Sequence, residues 1–388
     1  MKIPSEFDSI RPFQDEEVPH VVRSLLKDKV LRKAVKSGIK WLPFWAISLA
    51  AKRFKSCHDV QMKICYPYLK KLVKKFSDGL SFNFDSLNNI EENRLYISNH
   101  RDIVLDSGLL SLILMDNNKL SVEIAIGDNL LIRPWIKNFL RLNRCFIVKR
   151  SLSPFELLES SKTLSNYIRF TINEKKNPVW IAQREGRAKD SNDRTQVGVL
   201  KMLAMSGEGD IIERLLSLNI VPLSISYEYD PCDYLKAQEF QEKRDNPNFI
   251  KSPESDLLNM KTGIFGYKGR IHYHTAAPIN KALQELDRNQ PKNKIISQVA
   301  EIIDLHIFAG YNLYPNNYIA YNMLHSDELQ QATNYTIADQ NKFNEYLEKQ
   351  LMKVTIENPD WNFLREKILE MYANPLANKQ FAGMHSIE

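Results

Sequence analysis

Hydrophobic and polar positions alternate along this chain in two different periods. Short apolar runs bounded by polar residues are typical of buried strands, and apolar residues three or four positions apart indicate amphipathic helices. By this criterion strands are predicted at 95–98, 120–126, 145–150, 178–182 and 220–229. Helices are predicted between the first four of them, at 103–114, 128–142 and 153–173.

The two ends of the chain have a helical pattern instead. Residues 1–85 are predicted to be a mostly helical region, separated from the middle by a polar loop at Ser77–Asn93. The pattern is helical again from Asn280 onward, with SDELQQATN and the segment from Trp361 to Tyr372 among the predicted helices. We therefore divide the chain into a helical N-terminal region at 1–85, a domain at 86–285 and a helical C-terminal region at 286–388.

Charge and cysteine content narrow the possible partners and compartments. The formal net charge of +6 suits an anionic partner, such as an acidic protein, a phosphorylated substrate or an anionic membrane surface. The four cysteines form no closely spaced pair, which argues against a disulfide framework and a structural zinc site. The start lacks a signal-peptide pattern, so a cytoplasmic location is expected. No nucleic-acid recognition module is visible, and nucleic-acid binding is the least favoured function.

One apolar segment could contact a membrane. Trp41–Ala51 is shorter than the about 20 apolar residues that span a bilayer, and it contains Pro43. Lys40 and Lys52 flank it, and two tryptophans within it resemble an interfacial anchor. It could equally be an amphipathic helix that packs on the main domain, and the sequence leaves both readings open.

A polar cluster follows the first predicted strand of the domain. Asn99, His100, Arg101 and Asp102 come directly after Leu95–Ser98, and Asp102 is a candidate N-cap for the helix that follows. Imidazole titrates near neutral pH, and a neighbouring carboxylate can fix its tautomer and raise its basicity. A single histidine near an acid is common in proteins, so the spacing alone does not establish catalysis.

The segment NHRDIVLD resembles the His–Asp signature of the glycerolipid acyltransferases, the superfamily of glycerol-3-phosphate and lysophosphatidate acyltransferases. The family pattern has four residues between His and Asp, whereas five separate His100 from Asp106 here. The resemblance implies that His100 is the catalytic base. Its acid is Asp106 or, alternatively, Asp102, and Asn99 and Arg101 are expected to contact substrate.

Three further segments resemble family motifs in the same order. CFIVKR at 145–150 places Arg150 where the family has a phosphate-binding cation. Glu185-Gly186-Arg187 resembles the family's Glu-Gly-(Thr/Gly)-Arg element with its third residue missing, and Val221-Pro222 resembles the family's Val-Pro strand element. Arg184, Glu185, Gly186 and Arg187 are therefore expected to bind substrate. After these segments, 267–279 resembles the strand that closes the family's domains.

The resemblance implies an α/β fold, a mixed central sheet covered by helices, with His100 and the basic loops meeting in one cleft. The implied activity is transfer of a fatty acyl group from acyl carrier protein or coenzyme A to glycerol 3-phosphate or a lysophospholipid, without a metal or other cofactor, at the inner face of the membrane. A lyso-aminolipid acceptor and a non-catalytic peripheral lipid-binding protein are the alternatives. His272 and His274 share a strand face, but no third metal ligand is evident.

Overall fold

The computed structural model describes residues 3–38, 44–84, 93–131, 133–150, 152–325 and 334–385, and its centre is a mixed seven-stranded sheet within these ranges. The strands are β1 (Gly79–Asn83), β2 (Leu95–Ser98), β3 (Glu123–Gly127), β4 (Cys145–Val148), β5 (Val179–Ala182), β6 (Ile220–Tyr227) and β7 (Arg270–Thr275). Their order across the sheet is β1-β7-β6-β2-β5-β3-β4. The strands from β6 to β4 run parallel, β7 is antiparallel to β6, and β1 is parallel to β7.

Helices cover both faces of the sheet and form both ends of the chain. Those before and within the parallel part are α1 (Val18–Lys27), α2 (Lys29–Gly38), α3 (Phe44–Ala51), α4 (Cys57–Val60), α5 (Tyr66–Phe76), α6 (Leu105–Asp116), α7 (Pro134–Leu142), α8 (Pro154–Asn173), α9 (Val197–Leu203) and α10 (Ile211–Leu216). The later ones are α11 (Asp233–Asp245), α12 (Pro253–Phe265), α13 (Asn280–Gln284), α14 (Lys292–Ala309), α15 (Pro315–Leu324), α16 (Ile337–Leu351) and α17 (Trp361–Met384). A π-helical turn, Gln61–Cys65, joins α4 to α5.

Two hydrophobic cores lie on opposite faces of the sheet, because successive side chains of a strand point to opposite faces. In β5, Trp180 packs into a core with α6, whereas Val179 and Ile181 pack into a core with α8 and α14. We call these two sides the α6 face and the α8 face. Helices α15, α16 and α17 enclose a separate core with Tyr229 and Ala237.

The predicted mixed α/β architecture with helical ends is confirmed. The helix predicted at 153–173 begins as expected, because Ser153 caps α8 and forms a reciprocal capping box with Glu156. The strand predicted at 267–279 is shorter, and SDELQQATN lies almost wholly outside the described residues.

The prediction of a loop at Ser77–Asn93 is wrong over its first half, where β1 forms. This strand lies at the sheet edge with most of its side chains exposed, so it lacks the alternation of apolar and polar residues that marks a half-buried strand. It is held by parallel pairing with β7, which is distant in sequence. The other half of the predicted loop lies mainly outside the described residues.

Candidate active site

The predicted site residues meet where the parallel strands end. His100 follows β2, Arg150 follows β4, and residues 184–187 follow β5, so all of them lie at the carboxyl ends of strands in the parallel part of the sheet. Ligands of open α/β sheets bind at this edge. His100, Arg150 and residues 184–187 line one cavity of about 1060 Å³.

His100 forms a hydrogen-bonded pair with Asp106. Nδ1 of His100 lies 2.8 Å from Oδ2 of Asp106, and the imidazole stands edge-on to the Trp180 ring with 5.8 Å between ring centroids. Because an ionised Asp106 can only accept hydrogen bonds, Nδ1 carries the proton and Nε2 keeps its lone pair. The imidazole therefore has the tautomer that a general base requires, on the wall of the cavity.

Asp106 is held in place on both carboxylate oxygens. Oδ2 also accepts the backbone N–H of Arg101 at 2.7 Å and that of Asp102 at 3.0 Å. Oδ1 accepts the hydroxyl of Tyr227 at 3.2 Å, and the Asp106 side chain is fully buried. Although five residues separate His100 from Asp106, the two side chains still meet. Asp106 lies in the first turn of α6 and faces back onto the turn that carries His100.

Asp102 has a different role from the one considered as an alternative. Its Oδ1 accepts the backbone N–H groups of Val104 and Leu105, at 2.8 and 2.7 Å, so it caps the start of α6 and does not bond to His100. The helix itself begins two residues later than an N-cap at Asp102 predicts. Burial raises the pKa of Asp102, and the nearby Asp106 carboxylate raises it further.

The prediction that Asn99 and Arg101 contact substrate is corrected by the structure. Neither side chain lines the cavity. The Asn99 amide is fully buried, accepting from the N–H of Ile225 and donating to its carbonyl oxygen, so it clamps the end of β2 to β6. Arg101 is buried against Asp193, with its Nη1 3.0 Å from Oδ2. Both residues hold the turn that carries His100.

Arg150 and Glu185 bring two of the loops together. Nη1 of Arg150 lies 3.2 Å from Oε1 of Glu185, and Oδ1 of Asp128 accepts the backbone N–H of Arg150. Gly186 has a φ of +69°, a conformation that a residue without Cβ adopts readily, and it allows the loop to turn directly after Glu185. Arg184 lies beside them with its Nε buried and without a hydrogen-bond partner among the described residues.

Arg187 and a neighbouring lysine form the third basic group of the cavity. Nη2 of Arg187 donates to Oδ1 of Asn259 on α12. Lys236 on α11 also lines the cavity, and its Nζ lies 2.5 Å from Oδ2 of Asp230. Burial lowers the pKa of Arg187, but Cys232, Asp230 and other nearby acids outweigh this effect and the pKa is raised. The guanidinium therefore stays charged in its buried position.

Sequence reasoning missed three of these residues. Tyr227, Lys236 and Asn259 come from β6, α11 and α12, and no motif marks any of them. The only available signal was that Tyr227 lies near the end of the strand predicted at 220–229, as His100 lies just beyond the strand predicted at 95–98. Within the described parts of the chain, no group of three His, Cys, Asp or Glu residues lies close enough to hold a metal ion.

An apolar extension of the cavity lies on the α6 face beside His100. We call it the α6 branch; it is lined by Leu69, Ile103, Gly108, Ile126, Trp135 and Phe139. Helices α5, α6 and α7 supply most of this wall. Gly108 lies on this wall, and a Cβ there would stand in van der Waals contact with the Leu69 side chain at 3.5 Å and take up part of the space between α5 and α6.

Comparison with known proteins identifies the central part of the chain. Residues 81–226 match the family model described as Acyltransferase. This stretch contains His100, Arg150 and residues 184–187, and the match confirms the family predicted from the sequence motifs. No curated protein sequence matches the chain. Among solved structures, the 1-acyl-sn-glycerophosphate (LPA) acyltransferase PlsC from Thermotoga maritima is similar, with 9% identity, a TM-score of 0.36 and coverage of 73% of this chain and 92% of that chain.

Proposed function

Since residues 81–226 carry an acyltransferase domain of the glycerolipid acyltransferase superfamily, we propose that this protein transfers a fatty acyl group from a thioester to a hydroxyl of glycerol 3-phosphate or a lysophospholipid. The observation that carries the proposal is the His100–Asp106 pair on the wall of a cavity that three arginines also line. Acyl carrier protein or coenzyme A would carry the acyl group. No metal or other cofactor enters the proposed steps.

His100 acts as the general base in this mechanism. Nε2 takes the proton of the acceptor hydroxyl while the hydroxyl oxygen forms a bond to the thioester carbonyl carbon. The tetrahedral intermediate collapses with cleavage of the carbon–sulfur bond, and the departing thiolate takes the proton from the His100 imidazolium. Asp106 stabilises that imidazolium, since its carboxylate is the group that accepts the Nδ1 hydrogen bond.

The arginines position the acceptor. A guanidinium can bind a phosphate with two parallel hydrogen bonds. Arg184 and Arg187 follow β5, the strand next to β2, Arg150 follows β4 at the same edge of the sheet, and all three line the cavity with His100. Glu185 pairs with Arg150, and a phosphate bound to Arg150 would compete with this ion pair. Holding the phosphate in this way keeps the acceptor hydroxyl near Nε2, which lowers the entropic cost of the reaction.

The acyl chain of the donor occupies the α6 branch. That branch begins beside His100 and Trp180, so a thioester carbonyl within reach of His100 can extend its hydrocarbon chain between α5, α6 and α7. The wall is apolar, and burying each methylene contributes about 0.8 kcal/mol.

We also propose that the protein binds the inner face of the membrane through α3. Trp45 is 70% exposed and Leu49 is 53% exposed, and the two residues are four apart on the same side of the helix. Ala51 at the end of α3 is buried against the N-terminal helices, so one side of α3 packs on the protein while Trp45 and Leu49 face outward. The first part of the predicted segment, 41–43, lies outside the described residues. No helix among the described residues is long and apolar enough to cross a bilayer.

An acyl-transfer assay tests the proposed function. Purified full-length protein should form acylated product from glycerol 3-phosphate or lysophosphatidate when palmitoyl-coenzyme A or palmitoyl-acyl carrier protein is supplied. His100→Ala should lower the rate by about 10²–10⁴-fold. The control is His272→Ala, because this histidine lies on β7 and contacts Ser81 away from the cavity.

Three results would change the proposal. Transfer only to an acylated amino acid would replace the glycerol-based acceptor by a lyso-aminolipid. Binding to anionic vesicles without transfer to any acceptor would favour a peripheral lipid-binding protein. A fully active His100→Ala variant would remove His100 from the mechanism.

A further inference from the structure

The cavity does not end at the arginines but continues onto the opposite face of the sheet. Trp180 and Ile181 are adjacent in β5 and pack into the cores of the α6 face and the α8 face respectively, yet both line the cavity. The cavity therefore passes around the carboxyl ends of the strands. We call its extension on the α8 face the α8 branch; it is lined by Val148, Leu157, Leu164, Ile181, Val199 and Met202.

Small residues on two helices give the α8 branch its width. Leu157, Ser160, Ser161 and Leu164 follow a spacing of three, four and seven residues, so they share one face of α8, and all four line the cavity. Gly198 on α9 also lines the cavity, and a Cβ at this position would have no atom within 4 Å. An apolar wall with small residues at these positions leaves room for an unbranched chain.

The position of the α8 branch relative to the arginines indicates which ligand it can bind. Arg150 and Arg184 follow the ends of β4 and β5, at the edge of the sheet where its two faces meet. The donor chain has its place in the α6 branch, next to His100. A ligand whose phosphate is bound at this edge can therefore extend a second chain on the other face.

We propose that the α8 branch binds the hydrocarbon chain of the acceptor, so that the acceptor is a lysophospholipid and not glycerol 3-phosphate. This inference rests on the proposed acyl transfer, and it adds a second chain-binding site to it.

Calorimetric binding without an acyl donor tests the α8 branch independently of catalysis. The probes are glycerol 3-phosphate and lysophosphatidates with acyl chains of about 4 to 10 carbons, in buffer without vesicles, so that any dependence on chain length comes from the protein. The affinity of the wild type should rise with chain length, by up to about fourfold for each methylene that is buried.

Ser161→Leu should block the branch. Ser161 is half-buried on the wall of the cavity, and a leucine there fills the space between α8 and α9. We expect the affinity for the longest lysophosphatidate to fall at least tenfold and that for glycerol 3-phosphate to stay within twofold. Lys162→Leu is the matched control, because Lys162 is exposed on the same helix and does not line the cavity. Ser160→Leu serves as a second blocking variant if Ser161→Leu does not fold.

The outcomes separate the two proposals. Affinity that is independent of chain length, or a chain dependence that both serine variants retain, would overturn the α8 branch as a chain site. Acyl transfer measured on the same preparations tests the function: absence of product with every acceptor would refute the proposed function, even where lysophosphatidate binding depends on chain length. Equal transfer to glycerol 3-phosphate and lysophosphatidate together with chain-independent binding would refute the further inference alone.

Discussion

Replacing Asp106 by asparagine removes the charge of the His–Asp pair and keeps its geometry. Oδ2 of Asp106 accepts Nδ1–H of His100 and the backbone N–H groups of Arg101 and Asp102. Because two of these donors are fixed backbone groups, the amide oxygen of asparagine must take the Oδ2 position. The amide NH₂ then faces the hydroxyl oxygen of Tyr227, which can accept a hydrogen bond. His100 therefore keeps its orientation and its tautomer.

The size of the effect follows from the loss of one buried charge. A hydrogen bond to a charged group contributes about 1.5–3 kcal/mol, against about 0.5–1.5 kcal/mol for a neutral pair. The difference is largest when His100 is an imidazolium, which is the state that the transition state approaches. We expect Asp106→Asn to lower kcat by about 10- to 100-fold, which corresponds to about 1.4–2.8 kcal/mol in the activation barrier. The free energy of unfolding should change little.

Asp102→Asn is the matched control, because it makes the same substitution on the same turn. Its amide oxygen can still accept the N–H groups of Val104 and Leu105, and it has no bond to His100. We expect its kcat to stay within about threefold of the wild-type value. Steady-state acyl transfer measures kcat of both variants, and urea unfolding measures their free energy of unfolding. Wild-type kcat in a folded Asp106→Asn variant, or an equal loss in Asp102→Asn, would refute the assignment of Asp106.

Three further predictions address the arginines, the donor chain and pH. Arg150→Ala should raise KM for a phosphate-bearing acceptor about tenfold with a smaller change in kcat, because it removes binding that is shared by ground and transition states; an unchanged KM would exclude Arg150 from phosphate binding. Gly108→Ala should lower kcat/KM for the longest acyl donors and shift the preference toward shorter ones, since the new methyl contacts Leu69 in the α6 branch. The variant should also gain about 0.5–1 kcal/mol of stability, because it replaces a glycine inside a helix. An unchanged preference among donors would contradict the placement of the donor chain in the α6 branch. Asp233→Asn should remove a pH dependence of stability. Burial and the nearby Asp230 raise the pKa of Asp233 to about 7, so the folded protein holds a proton that the unfolded chain releases. The free energy of unfolding of the wild type should therefore fall as the pH rises from about 4 to about 7. Urea unfolding at several pH values measures this dependence. If the free energy of unfolding of the variant falls equally with pH, the dependence comes from other groups.

Local signals in the sequence were sufficient to locate the strand–turn–helix unit that carries His100. The apolar run of β2, the polar turn and the apolar helix α6 are adjacent in the chain, and their periodicity depends on local geometry alone. The family resemblance implied that Arg150 and the 184–187 loop meet His100 in one cleft. The sheet explains this meeting, because the carboxyl ends of its parallel strands lie at one edge.

Other features depend on groups that are distant in sequence, and only the tertiary structure decided them. The sequence offers Asp106 as the partner of His100 with Asp102 as the alternative, and the hydrogen bonds of the folded turn select Asp106. From the sequence, Asn99 is expected to bind substrate. In the folded protein β6 lies beside it, and both polar atoms of its amide bond to the backbone of Ile225.

The edge strand β1 and the course of the cavity around both sheet faces also depend on contacts between segments that are distant in sequence. The exposed residues of β1 give no apolar pattern, and the strand exists because β7 presents hydrogen-bonding groups to it. The α8 branch is formed by helices that follow different strands. A sequence fixes local conformation through propensity and periodicity. Pairing across the sheet and the shape of a cavity are properties of contacts between segments, which no single stretch of the chain contains.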